Sequence, residues 1–421
     1  MRIIIGIKTY TKIKSLSFSP ETDVTNSELA VNELSADIFT DDLPMPGCYV
    51  ALYDEREVMW AHYWLFESVR IDRGVLRIRA QSEMLVLERK TMGAIMYNDA
   101  PVSNIVSDIF ANVTLYSLDS SLSSMTISGF CPEQTARDRL QWVCLCVGGY
   151  VKTYFNDRPE IKPIETEQAL IPLSQTFWKP SLTYGDDVTA VVVKAFSYTE
   201  GTPSTTDKWV TDGTRNYIQT EQVFTLSNPD ASPLAAEHAY KVEDVTIINT
   251  GNVSAILTRL STYFFKRMEV SLDVIDNGEY IPGQKVAAYM DEREIVGGFV
   301  KSCDFSFGLQ ARARLRLVQT DSVPSGGLLI HYMFGDTQIG LARYWFPVGY
   351  AYDFENPYID RTDSAVRFIY RPLTENASGT VTSETENIYE YYEIALRHSD
   401  NILLILSVDE LSQNEGIVRI S

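Results

Sequence analysis

The sequence predicts a mainly β protein: two related antiparallel β-barrels, a small helix-containing connector, and a C-terminal all-β appendage. Three observations predict it. A set of strand-like segments recurs within the chain, helical spacing is confined to the stretches between the copies, and the charge balance changes near residue 320. The expected division is residues 1–90 for the first barrel, 91–178 for the connector, 179–323 for the second barrel and 328–421 for the appendage.

The first barrel is read from the repeat, which is sought before motifs because it constrains architecture. Glu33-Leu34-Ser35-Ala36-Asp37-Ile38 returns 236 residues later as Glu269-Val270-Ser271-Leu272-Asp273-Val274. Polar and apolar residues alternate in both, as in a half-buried strand. At the same offset Pro46-Gly47 matches Pro282-Gly283, and Val50-Ala51-Leu52-Tyr53 matches Val286-Ala287-Ala288-Tyr289. One inserted residue, Met290, then shifts Asp54-Glu55-Arg56-Glu57 onto Asp291-Glu292-Arg293-Glu294. Each copy closes on a further alternating strand, Val75 to Ala80 in the first and Ala311 to Leu317 in the second. Period two puts Arg77 and Arg79, or Arg312, Arg314 and Arg316, on one face and the aliphatic residues on the other. Short strands punctuated by Pro-Gly turns suit a small antiparallel barrel.

The connector is read from helical spacing. Asn98, Asp99 and Pro101 suit a helix start before Ile105, Val106, Ile109 and Phe110. Pro132 is expected to open a second helix with Ala136, Leu140, Val143, Cys144 and Val147 on one face, ended by Gly148-Gly149 in a left-handed cap. A strand from Tyr150 to Phe155 should follow. A third helix is expected over Val253 to Phe265, leading into the second copy, and Thr199 to Asp212 reads as a long loop.

Pro324-Ser325-Gly326-Gly327 reads as a linker to the appendage, where Ile388 to Leu396 and Asn401 to Val408 are strand-like. From Asp321 to Ser421 the chain holds 6 Arg, no Lys and 15 acidic residues, a net −9 out of −20 for all 421 residues. Such a charge disfavours a phosphate-neutralising nucleic-acid surface or adhesion to anionic membranes. With 45% apolar and 22% charged residues the chain can bury a core and is not of the disordered class. No stretch nears 18 apolar residues, and the Ile3-Ile4-Ile5 run is too short for a signal-peptide core, so folding in a cytoplasm and no membrane insertion are expected.

Chemistry is sparse. Cys48, Cys131, Cys144, Cys146 and Cys303 form no CxxC or Cys/His array and read as reduced core residues. His62, His238, His331 and His398 lack metal-ligand spacing, and no nucleophile elbow or phosphate-binding glycine loop is present. Asp353, Glu355, Asn356 and Asp360 lack the order and turn glycine of a calcium loop. No catalytic residue, cofactor or metal ligand is assigned. The tetrad Asp54, Glu55, Arg56 and Glu57 could supply a glycosidase-type carboxylate pair, but it returns as Asp291, Glu292, Arg293 and Glu294, and a catalytic pair is needed once. The plain reading of the tetrads is an exposed strand end. The sharper one has these acids meeting Arg77 and Arg79, or Arg312, Arg314 and Arg316, across a barrel-to-barrel or subunit interface.

In its order of parts the chain resembles the baseplate hub family of bacteriophage tails, related to the hub region of type VI secretion spike proteins. The resemblance spans about residues 1 to 325 and rests on three stretches. They are Leu34 to Asp41 with the Pro46-Gly47 turn, the run Gly129 to Val143 ending at Gly148, and Val253 to Phe265 leading into the second copy. It implies a non-enzymatic homotrimer in which two barrels per chain make a pseudo-six-fold ring, joining a hexameric tail tube or distal tail protein to a trimeric central spike. It also implies contact with the tape measure protein, passage of DNA without specific binding in a true phage, and a place in the virion tail baseplate after assembly in the bacterial cytoplasm. A rival reading is a carbohydrate-binding or adhesion protein in which Trp345, Phe346, Tyr350 and Tyr352 stack on sugars.

Overall fold

The computed structural model describes residues 1–164, 168–171, 175–185, 187–231, 238–266, 268–275, 278–289, 295–306 and 312–322, and the strands of the C-terminal part. The chain is mainly β and divides into two compact units, Met1–Val286 with Gly297–Asp321, and Ala287–Val296 with Ser322–Ser421. The Pro324 to Gly327 stretch, like Trp345, Phe346 and Tyr350, lies outside the described residues.

In the first unit the repeat appears as matching strands. The first copy orders its strands Ile13–Phe18, Glu33–Phe39, Val75–Gln81, Met59–Asp72, Tyr49–Tyr53, Arg2–Ile5 and Lys8–Tyr10 by hydrogen bonding. The second orders Thr176–Tyr184, Met268–Ile275, Arg312–Ser322 and Ile295–Ser306. The alternation read from sequence sets the faces. Leu34, Ala36 and Ile38 are buried in one copy and Val270, Leu272 and Val274 in the other, as are Leu76, Ile78 and Ala80 and their counterparts Ala313, Leu315 and Leu317.

Hydrogen bonds outside the ladders repeat too. Gly47 N–H donates to Leu65 O and Gly283 N–H to Val300 O, both at 2.8 Å. Leu65 N–H then donates to Cys48 O at 2.8 Å, and Val300 N–H to Gln284 O at 2.9 Å. Ser68 Oγ donates to Pro44 O at 2.7 Å where Cys303 Sγ donates to Tyr280 O at 3.3 Å. Leu65 therefore corresponds to Val300 and Ser68 to Cys303, so the hairpin bond network is preserved where side chains have diverged.

The copies join edge to edge. Phe18 pairs with Phe305, Cys303 N–H donates to Pro20 O, Glu21 bridges Ser302, and Thr22 N–H donates to Lys301 O, all in one antiparallel register. Beneath this seam Phe18 stacks on Phe305 with centroids 6.1 Å apart, and Trp60 and Phe155 stand 4.7 and 5.9 Å from Phe305. Phe18 and Trp60 are almost wholly buried, so the seam is a core in its own right.

The connector holds helices Met84–Glu88, Val102–Phe110, Ser120–Ser123 and Ala136–Val147, and the helix Val253–Phe264 packs into the same core. The expected Val102–Phe110 face is buried through Ile105, Val106, Ile109 and Phe110. The second helix starts later than Pro132 suggests. Gln134–Thr135 is held extended against Thr91–Met92, and Thr135 Oγ1 caps the helix by accepting from Asp138 N–H at 3.0 Å. Gly148 ends it at φ 71, the left-handed cap expected. The strand after it is Gly149–Lys152, shorter than read, and Phe155 takes φ 55. Most of the expected loop from Thr199 is narrower than read: the strand Ala190–Glu200 runs into it and Trp209–Thr211 rejoins the sheet. That four-stranded sheet sends Val191, Val193 and Ala195 into the helical core, although sequence position groups it with the second copy.

In the second unit, eight described strands form one sheet. Its path runs Ile330–Met333, Ile402–Ser412, Glu415–Ile420, Asn387–Tyr392, Ala365–Glu375 and Ala351–Arg361, with two short strands beside it. The strands expected near Ile388 and Asn401 are Asn387–Tyr392 and Ile402–Ser412. Asp353, Glu355, Asn356 and Asp360 fall on the strand Ala351–Arg361.

Candidate assembly surface

The arginines read from sequence sit in matched ion-pair ladders on the outer face of each copy. Arg77 lies opposite Asp37 across the strand pair and grips it in a fork, Nε to Oδ1 at 2.8 Å and Nη2 to Oδ2 at 3.1 Å. Arg314 grips Asp273 in the same way at 2.8 and 3.0 Å. One pleat along, Arg79 holds Glu33 and Arg316 holds Glu269, with Nε contacts of 2.7 and 3.0 Å. Cross-strand pairs of opposite charge fix register and orient both side chains. The charges act on each other: the Arg77 guanidinium holds the Asp37 carboxyl below its usual range, and Arg314 does the same for Asp273. Arg312 is exposed on the same face.

Glu33, Asp37, Glu269 and Asp273 were not singled out by sequence reasoning. The signal was present: both acids lie on the polar face of the repeated strand, at the spacing of the arginines on the strand beside it.

The first tetrad forms a turn. Asp54 Oδ1 accepts from Arg56 N–H at 2.8 Å and Val58 N–H at 2.9 Å, Arg56 Nε reaches Asp54 Oδ2 at 3.0 Å, and Glu57 takes φ 64. Glu57 pairs with Arg2, and Glu55 is 91% exposed and 3.8 Å from the terminal amine. Asp291, Glu292, Arg293 and Glu294 lie outside the described residues. The structure therefore brings the arginines to acids of their own sheet, and leaves Glu55 as the most outward charge of the first tetrad.

Exposed apolar residues collect on the first copy. Leu43 is 60% and Met45 77% exposed beside the Pro46-Gly47 turn, and Val69 and Ile71 are 44% and 39% exposed on the far end of the Met59–Asp72 strand. In the second copy Leu182 and Tyr184 are exposed at 36% and 65% on the Thr176–Tyr184 strand.

Burial shifts the titration of several groups. Burial pushes the Glu83 carboxyl up to about 8, and its Oε1 has no hydrogen-bond partner among the described residues. Burial likewise pushes Cys131 up to about 11 and Cys144 and Cys146 up to about 12, as suits core thiols. A cleft of about 840 Å³ is lined by Tyr49, Tyr53, His62, Asn112, Asp157 and Arg158 among others. There His62 stacks on Tyr49 at 4.3 Å, and burial lowers its pKa, so it stays neutral at pH 7. Among the described residues no group of three or more His, Cys, Asp or Glu side chains could hold a metal ion, and no helix is long and apolar enough to cross a membrane.

No family model matches the sequence and no curated protein is similar to it. Solved structures are similar. A tail protein from Neisseria meningitidis MC58 superposes with a TM-score of 0.55 at 10% identity, over 75% of this chain and 95% of its own. The 43 kDa tail protein of prophage MuSo2 from Shewanella oneidensis gives 0.52 at 9% identity, over 75% and 97%. Prophage tail protein gp18 from Listeria monocytogenes EGD-e gives 0.50 at 10% identity, over 75% and 94%. Three quarters of this chain has the fold of phage tail proteins.

Proposed function

We propose that this chain is the structural hub of a phage-tail or tail-like baseplate. Three copies would form a pseudo-six-fold ring that joins a hexameric tail tube to a trimeric central spike. The observation that carries this reading is the doubled β-domain, with its matched ladders and repeated hairpin bonds. A chain that must meet a six-membered partner with only three copies needs two near-equivalent surfaces, and duplication supplies them. The tail-protein fold supports it, and the tidy pairing of the surface arginines suits a rigid scaffold better than a reaction centre. Tube, spike and tape measure proteins are the partners proposed, with an acidic bore through which DNA would slide.

Mass measurement in solution tests it. The full chain should trimerise alone or with its spike, and an image along the ring axis should show six similar lobes. A chain that stays monomeric with its neighbouring gene products and binds glycan would overturn the reading.

A further inference from the structure

The cleft of about 840 Å³ belongs to the first copy and the connector, and its size is that of clefts which hold small ligands. Its floor crosses three strands in register, Ile4 opposite Ala51 and Ala51 opposite His62, with Tyr53 one pleat along. Its walls come from two connector stretches, Asn112 to Leu115 and Asp157 with Arg158. The β-domain does not require the rings of this floor. The repeat sets Lys285 in the place of Tyr49, and the hairpin bonds that equate Leu65 with Val300 set Gly297 in the place of His62. A domain that folds with Lys285 and Gly297 needs neither ring, so Tyr49 and His62 answer to the cleft.

Both walls are held stiffly. The Tyr49 hydroxyl is hydrogen-bonded to Thr114, and His62 to the Asp157 backbone. Asn112 takes φ 62 and Phe155, two residues before Asp157, takes φ 55. Phe155 N–H donates to Trp60 O at 2.9 Å, which fixes that conformation. Left-handed backbone is unfavourable for residues other than glycine, most of all for a bulky one. It persists where the surroundings over-determine it, and such positions cluster at binding sites. Walls ordered beforehand also lower the entropy lost on binding.

The lining selects among ligands. Asp157 and Arg158 grip each other in a fork with both contacts at 2.7 Å, so their charges cancel. His62 is neutral at pH 7, and the net −20 of the chain disfavours an anion. Beside these polar groups lie the apolar surfaces of Ile4, Tyr53, Met59 and Leu115, the last 70% exposed. Polar and apolar contacts side by side, without net charge, suit a ligand with hydroxyls at its rim and C–H groups on its faces.

We propose that this cleft binds a neutral oligosaccharide. Tyr53, Met59 and Leu115 meet the C–H faces of the sugar rings, while Asn112 and the Asp157–Arg158 fork hydrogen-bond their hydroxyls. The site goes beyond the hub reading: it concerns what the first copy holds and not how chains assemble.

Titration of the full chain with chitotetraose and with maltotetraose, followed by saturation-transfer NMR and calorimetry, tests it. At least one sugar should bind. Asn112→Gly removes the amide and keeps the left-handed backbone, and Leu115→Asp puts a charge at an exposed position. Each should weaken binding about tenfold at unchanged circular dichroism. Wild-type affinity in either variant would put the sugar elsewhere and overturn the proposal. A trimer that binds neither sugar at millimolar concentration overturns it too and leaves the hub reading standing. A chain that stays monomeric with its neighbouring gene products, yet binds sugar through these residues, supports the cleft and overturns the hub.

Discussion

The Pro46-Gly47 and Pro282-Gly283 turns share a sequence, a backbone and a hydrogen bond, and differ in what stands beside them. Their glycines have φ of 95° and 83°, and each donates its N–H at 2.8 Å to the neighbouring strand. Around Gly47 no atom lies within 4 Å of where a Cβ would stand, whereas at Gly283 that Cβ would lie 2.4 Å from Tyr150 Cε2. Tyr154 Oη also donates to Pro282 O at 2.6 Å. The connector, present once per chain, caps the second turn and leaves the first bare. Duplication thus preserves what a domain needs internally, while packing specialises its outside and leaves the turn of the first copy exposed.

The largest test removes the seam's central ring. Its counterpart in the second copy is Leu182, which faces Val270 as Phe18 faces Leu34. Phe18→Ala should cost about 3–5 kcal/mol in denaturant unfolding, as for a buried aromatic, while Leu182→Ala should stay within about 1 kcal/mol in the isolated chain. Equal costs would break the distinction between the buried position and its exposed counterpart.

Next come the glycines. Gly47→Ala and Gly283→Ala both carry roughly 1–2 kcal/mol of backbone strain. Only Gly283→Ala should add about 1–3 kcal/mol for the clash with Tyr150. Thermal melts of the pair would show whether the connector braces the second turn as the geometry requires.

Glu83 gives a pH test that sharpens the comparison, because the matching place in the second copy is Thr320, on the Arg312–Ser322 strand, which has no carboxyl. A carboxyl whose folded pKa is raised to about 8 holds its proton in the folded state and loses it in the unfolded chain. Its stabilising contribution is full below the unfolded value and is lost as pH rises toward about 8. Stability should therefore fall by about 1 kcal/mol per pH unit between those limits. Glu83→Gln should flatten that slope, measured as denaturation midpoints from pH 5 to 8; an unchanged slope would place the titration elsewhere.

The smallest effect belongs to the ladders. Asp37 and Asp273 should both titrate below the usual aspartate range by carboxyl NMR, because Arg77 and Arg314 hold them identically. Depressed carboxyl pKa values stabilise above the unfolded value and fade as pH falls through the folded one, so both ladders should weaken together in acid. Arg77→Ala and Arg314→Ala should each release only their own partner.

Much of this was legible in the chain itself. The repeat, the buried and exposed faces of its strands, the helix faces at Ile105 and Leu140 and the Gly148 cap are local patterns, set by pleat, helical period and φ. The helix start at Thr135 was not legible, because a two-residue pairing with Thr91–Met92 holds Gln134 extended. Nor was the choice of partner for the arginines, although Glu33 and Asp37 carried the signal once their strand was known to lie alongside.

By itself the sequence determined that one β-domain occurs twice, since register and alternation depend only on neighbours in the chain and on which residues leave water. Tertiary structure alone decided that Phe18 meets Phe305, that Tyr150 covers Gly283 and not Gly47, and that Leu182 and Val69 are exposed. Those outcomes depend on contacts between segments more than a hundred residues apart, or on their absence, and no local pattern encodes them.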